Sequence, residues 1–179
     1  MNLRSDIFLN ELTDLVTEIP GEYEGRTAFI KTNIGRARLY GYEFSGRQKI
    51  APWSAVRMTV SYVRGEDVRS HADLPQIPPL QGEIALSLSR NNVGRIDISS
   101  SFASAKTHQA AGEVSTSGYI VFDVGFSSVP LKLWQVSLVV RSGVENLFDR
   151  DYRNFISTLR GTVRSEPGRN YYLTALFTM

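Results

Sequence analysis

The run Leu80-Gln81-Gly82-Glu83-Ile84-Ala85-Leu86-Ser87-Leu88-Ser89 decides the fold. Leu80, Gly82, Ile84, Leu86 and Leu88 fall on one parity; Gln81, Glu83, Ala85, Ser87 and Ser89 fall on the other. Successive side chains of a strand point to opposite faces, so this stretch reads as a strand with one apolar and one polar face. A helix needs apolar residues three and four apart, and this segment lacks that spacing.

The same alternation recurs outward in both directions. Val56, Met58, Val60 and Tyr62 oppose Arg57, Thr59 and Ser61. Ile96, Ile98 and Phe102 oppose Arg95, Asp97 and Ser99. Ile120, Phe122, Val124 and Phe126 oppose Asp123 and Ser127. Trp134, Val136, Leu138 and Val140 oppose Gln135, Ser137, Arg141 and Glu145. Tyr171, Leu173, Ala175, Phe177 and Met179 oppose Tyr172, Thr174 and Thr178. Residues 5–18 and 33–47 are strand-like but less regular. The pattern predicts about eight antiparallel up-and-down strands and no helix.

Loop lengths alternate. Long polar loops are expected at 19–29, 64–79, 105–118 and 147–168, and tight turns at 49–52, 91–94 and 129–132. A soluble sandwich has no reason to lengthen every second connection. An outer-membrane barrel does, with short periplasmic turns and longer outside loops. The apolar runs approach the ~9–11 residues of a tilted membrane-crossing strand. Trp53, Tyr62, Tyr119, Trp134, Tyr171 and Tyr172 sit near expected strand ends, where an interfacial aromatic girdle would place them. The fold class is therefore all-β, part of a transmembrane barrel.

Composition narrows the chemistry. The 179 residues carry 20 Lys plus Arg against 18 Asp plus Glu, a net charge of +2 that does not point to nucleic acid. Cysteine is absent, which excludes disulfides, thiol catalysis and zinc–thiolate sites. No apolar stretch is long enough for a membrane helix. The N-terminal residues do not read as a signal peptide, since Asp6, Asn10, Glu11 and Asp14 interrupt any apolar run. No nucleophile elbow, phosphate loop or HExxH pattern occurs, so an enzyme is not expected. His71 and His108 both fall in expected loops, where solvated histidines are the ordinary case, and two residues do not make a metal site. No cofactor is expected.

Three stretches resemble the C-terminal signature of TonB-dependent outer-membrane receptors. Gly143-Val144-Glu145-Asn146-Leu147-Phe148-Asp149-Arg150-Asp151-Tyr152 is similar to that family's N-L-F-D-x-x-Y element. Pro167-Gly168-Arg169 is similar to its P-G-R entry into the closing strand. Leu74-Pro75-Gln76-Ile77-Pro78-Pro79 is similar to its L-P-x-x-P-P lead into a descending strand. Residues 33–43 and 5–15 echo two preceding strands. Met179 departs from the family's usual aromatic terminus. Physical readings stand beside these likenesses. Asn146 and Asp149 can bond nearby backbone and stop a strand. Leu147 and Phe148 can pack at the rim, Pro167-Gly168 is turn chemistry, and Pro78-Pro79 cannot donate to a ladder and so mark a strand entrance.

The resemblance implies that residues 1–179 are the C-terminal segment of a receptor barrel, without the family's plug domain. It implies a Gram-negative outer membrane, its lipid, the plug and TonB as partners, and a scarce nutrient such as a ferric siderophore as ligand. Arg57, Glu83, Asp97, Arg141 and Glu145 would face the lumen. The barrels with a plugged lumen have about 22 strands, so about eight alone would leave two unpaired edges and no transport. Two rivals stand beside this reading. One is a self-contained eight-stranded outer-membrane barrel with an adhesive or structural role. The other is a soluble β-sandwich binding module.

Overall fold

The computed structural model describes residues 1–158 and 164–178. It holds eleven strands: β1 Asn2–Thr13, β2 Val16–Tyr23, β3 Arg26–Asn33, β4 Arg36–Ala51, β5 Ser54–Asp67, β6 Gln81–Arg90, β7 Gly94–Ala103, β8 Tyr119–Ser128, β9 Leu131–Leu133, β10 Val136–Glu145 and β11 Asn170–Thr178. A single helical turn, α1, spans Phe155–Thr158. The main sheet runs β1-β4-β5-β6-β7-β8-β10-β11, with β9 paired to β10. Each neighbouring pair is antiparallel. The expected up-and-down meander of about eight strands is this path. Among the described residues β1 and β11 do not pair with each other, and the sheet is one layer. That geometry is neither a closed eight-stranded barrel nor a two-sheet sandwich.

Register explains the alternation. Glu83 pairs with Thr59 on one side and Ser101 on the other, and Thr59 pairs with Ser45. Ile84 pairs with Met58 and Ser100, and Leu86 with Val56 and Ile98. One face therefore carries Leu3, Ile7, Leu9, Tyr42, Val60, Ile84, Ile98, Phe122, Leu138, Leu173 and Phe177 strand after strand. Many of these large side chains are open to the surroundings, Ile7 at 85% and Leu173 at 77%. Among the described residues few apolar ones are buried: Ala37, Leu74, Ala85, Val121 and Phe155. An apolar sheet face of this extent has no core of its own and needs an apolar medium. The other face is polar and holds a trough of about 570 Å³, whose lining includes Arg4, Asp6, Glu43, Thr59, Gln81, Ser101, Tyr119 and Asn154. β6, β7, β8 and β10 are 10 residues each. At ~3.3 Å per residue and a tilt of ~40°, such a strand covers about 25 Å, the height of an outer-membrane apolar band.

Aromatic rings on the sheet lie over glycines in the next strand. Phe102 pairs with Gly82 and Tyr172 with Gly143. A Cβ on Gly143 would come within 2.5 Å of both the Tyr172 hydroxyl and the Val124 carbonyl oxygen. These positions leave room for the ring to cover the ladder.

Five expectations shift. Residues 19–29 are not an irregular loop. They belong to a separate two-stranded ribbon of β2 and β3, with Ile19 opposite Ile30 and Pro20 opposite Phe29. The strand expected over 5–18 breaks at Asp14, which has a positive φ of 56°. The ribbon reaches the β7–β8 loop, where a Cβ on Gly112 would lie 2.4 Å from Pro20. The turn expected at 129–132 instead falls at Trp134-Gln135. Pro130, which cannot donate to a ladder, separates β8 from the short β9, and the register against β10 slips by one residue there. Trp134 is thus a turn residue with φ 58°, fully exposed at 103%, and not a strand residue. The short helical turn α1 was not expected. Of the aromatic girdle, Tyr119 and Tyr172 lie on the trough side, so they do not face the apolar exterior. Met179, the expected end of the last strand, lies outside the described residues, as does the 159–163 part of the 147–168 loop.

Candidate functional site

The Asn146 segment sits where β10 ends. Asn146 is buried at 4% and has φ 50°, a left-handed conformation that asparagine tolerates better than most residues. Its side chain closes the following turn from both sides. Oδ1 accepts from the Arg150 amide at 2.8 Å, and Nδ2 donates to the Arg150 carbonyl at 2.8 Å and the Pro167 carbonyl at 3.2 Å. Its own amide donates to Asp123 Oδ1 at 2.8 Å, and the Leu147 amide to the Phe122 carbonyl at 2.7 Å. Asp149, with φ 54°, takes the Arg169 amide on Oδ1 at 2.7 Å. A Cβ on Gly168 would stand 2.8 Å from that same oxygen. Asn146, Asp149, Pro167, Gly168 and Arg169 therefore meet in one knot, although about 20 positions separate the two stretches that form it.

The aromatics of the segment brace the neighbouring strand. The Phe148 ring meets Phe122 edge-on, with centroids 5.5 Å apart. Tyr152 packs on Tyr119 at 4.5 Å. Burial, with the Glu166 carboxylate nearby, pushes the Tyr152 phenol above its ordinary range. Leu147 is half-buried beside β8. The knot is a backbone-tying device made of neutral amides, two carboxylates and rings. It presents no nucleophile–base pair.

The residues expected to face the lumen lie on the trough parity. Arg57 Nη2 and Glu83 Oε1 form an ion pair at 2.6 Å across β5 and β6. Asp97 accepts from Ser87 at 2.6 Å and from Arg95 at 2.7 Å. Glu145 accepts from Asn170 at 3.1 Å. Arg141 is exposed on β10, and the structure brings none of the other four to it.

Sequence reasoning missed the loop layer. Lys106 and Glu113, 3% and 6% exposed, pair at 3.7 Å. Lys106 Nζ also donates to the Ile77 carbonyl and lies 4.5 Å over the Phe155 ring. Glu113 accepts the Gln76 amide at 2.6 Å and the Ala110 amide at 3.1 Å. Two irregular loops are locked together this way. A lysine and a glutamate seven apart in a polar loop carry no periodic signal that would reveal it. Among the described residues no group of three or more His, Asp or Glu is placed to hold a metal.

The model of the TonB-dependent receptor-like β-barrel matches residues 1–147. The chain belongs to that family. Members of this family are outer-membrane transporters of Gram-negative bacteria, not enzymes. Solved receptors share the fold. The copper transporter OprC superposes with a TM-score of 0.82 at 18% identity, over 97% of this chain and 28% of its own. The closed form of the ferric-catecholate import receptor Fiu from E. coli K12 gives 0.66 at 20%, over 98% and 25%. The ferric yersiniabactin uptake receptor FyuA from Yersinia pestis gives 0.64 at 13%, over 99% and 27%. This chain thus spans roughly a quarter of the length of these structures. No curated protein sequence matches it significantly.

Proposed function

We propose that this chain is a barrel-wall and outside-loop segment of an outer-membrane active-transport receptor for a scarce nutrient, most specifically a ferric siderophore. In this reading residues 1–179 are the C-terminal part of the barrel. A plug domain elsewhere in the full-length protein fills the trough, and TonB energises release of the ligand inward. The wall contributes lipid contact, loops and the closing strand. It performs no chemistry and binds no nucleic acid.

The observation that carries the reading is the two-faced sheet: a continuous apolar exterior opposite a polar trough, in a family of transporters. An apolar exterior fits acyl chains, and a wet trough too wide for eight strands to fill fits an occupied lumen. Iron is favoured because two of the three solved receptors named above import a ferric complex, while the other is a copper transporter.

The test is uptake of radioactive iron by cells carrying the full-length gene, either intact or interrupted within β8–β11. The intact strain is expected to accumulate iron supplied as ferric siderophore, and a protonophore should abolish the difference. Equal iron uptake by both strains, with copper uptake lost on interruption, would replace iron by copper as the cargo. No energised uptake of either would remove the transport reading.

A further inference from the structure

Away from the Asn146 knot, the loop layer contains a second ionic cluster. Arg64, near the outer end of β5, donates from Nη1 to His108 Nε2 at 3.0 Å. Its Nη2 lies 3.6 Å from Asp73 Oδ1. His108 Nδ1 lies 3.6 Å from Asp73 Oδ2. The three side chains line a small pocket of about 50 Å³ between residues 73–80 and 104–108. Arg64 and Asp73 are largely covered, whereas His108 is half exposed, so a proton can reach the ring and the ring has room to move.

The donor count sets the chemistry. A guanidinium has only N–H donors and stays charged, so a contact with Nε2 requires that nitrogen to be an acceptor. The ring is then neutral and carries its hydrogen on Nδ1, the atom that faces Asp73. Adding one proton to Nε2 turns the acceptor into a donor, 3.0 Å from a cation. The same proton makes Nδ1–H part of an imidazolium beside a carboxylate. The contact with Arg64 is lost and the one with Asp73 is strengthened. Arg64 Nε and Asp73 Oδ1 are buried without protein hydrogen-bond partners, so the cluster is incompletely satisfied. Among the described residues, the other titratable groups lining this pocket are Tyr62 and Lys106, and Glu113, the Ile77 carbonyl and the Phe155 ring already hold Lys106.

We propose that Arg64, Asp73 and His108 form a proton-operated latch that fastens the 104–118 loop to the outer end of β5. Neutral His108 keeps it closed. Protonation moves the ring from Arg64 to Asp73 and so transfers the Thr107–Gln109 stretch from β5 to the 73–80 segment, while Lys106 and Glu113 keep the rest of the loop anchored. Histidine is the side chain whose charge changes between about pH 5 and 8. The latch stands on this geometry alone and does not depend on which nutrient the receptor carries.

Two measurements on the full chain test it. The first is 15N NMR of the histidine rings in detergent micelles, with His71→Gln to assign them. At pH 8, His108 should be a single Nδ1–H tautomer, unlike His71, and Arg64→Gln should abolish that preference. The second is the mobility of a nitroxide at Thr107, read in membranes of producing cells. It should change between pH 8 and pH 5 in the parent, as the ring exchanges Arg64 for Asp73, and stay constant in His108→Gln, whose amide oxygen accepts from Arg64 at either pH. An Nε2–H tautomer for His108, a tautomer mixture equal to that of His71, or a pH-dependent mobility unchanged by His108→Gln would each overturn the proposal.

Discussion

Replacing Asn146 by alanine removes three side-chain hydrogen bonds: one accepted from the Arg150 amide and two donated, to the Arg150 and Pro167 carbonyls. At about 1 kcal/mol net per bond the loss is about 3 kcal/mol. Alanine at φ 50° adds about 1 kcal/mol of left-handed strain that asparagine largely escapes. Glycine loses the same bonds without that strain. The expected order of knot stability is therefore Asn, then Gly, then Ala. The separations are about 3 and about 1 kcal/mol, or roughly two decades and somewhat under one decade in opening equilibrium. Asn146→Asp keeps the acceptor for the Arg150 amide but turns a carboxylate oxygen toward two carbonyls, so it should fall at or below glycine. Amide hydrogen exchange reads this directly at Leu147, Asp149, Arg150 and Arg169, whose N–H groups are bonded inside the knot. The amides of β7 serve as an internal control. If Ala and Gly exchange no faster than the parent at these four sites, the knot does not hold the loop. If they accelerate equally, the backbone-strain share is wrong.

Two further outcomes follow from the faces of the sheet. Ile98→Arg puts a charge on the apolar exterior near mid-strand, where lipid exposure costs about 2–4 kcal/mol, whereas Ser99→Arg points the same charge into the trough. Membrane-assembled protein, measured by heat-modifiable migration, should fall for the first and hold for the second; equal loss would contradict the face assignment. The Arg57–Glu83 pair is short but more than a third exposed on both sides, so a double-mutant cycle should give coupling below about 1 kcal/mol. A coupling of several kcal/mol would mean that the trough is far drier than an open sheet implies.

The regular strands were legible because alternation is a local property. Leu80 to Ser89 declares its two faces without any partner, and the ladder then obeys it, with Leu86 opposite Ile98 and Glu83 opposite Ser101. Loop parity was equally local, since glycine, proline and polar clusters mark turns wherever they fall. The ribbon of β2 and β3 was harder to see. Glu18, Pro20 and Gly21 look like loop chemistry, and only pairing with Arg26–Asn33 makes them a strand. Trp134 was placed on a strand by parity, but the interruption at Pro130 moved the turn onto it.

By itself, then, the amino-acid order determined the eight-strand meander, the two-faced character and the family likeness, because each depends on neighbours two residues away or on short motifs. Tertiary structure decided which polar residues meet. Asn146 reaches Pro167, Lys106 reaches Glu113 and Ile77, and His108 reaches Arg64 rather than remaining a solvated loop residue. The Asn146–Pro167, Lys106–Ile77 and His108–Arg64 contacts join segments that the aligned strand ends bring together. Their energies rest on angle, distance and burial, none of which a one-dimensional spacing carries.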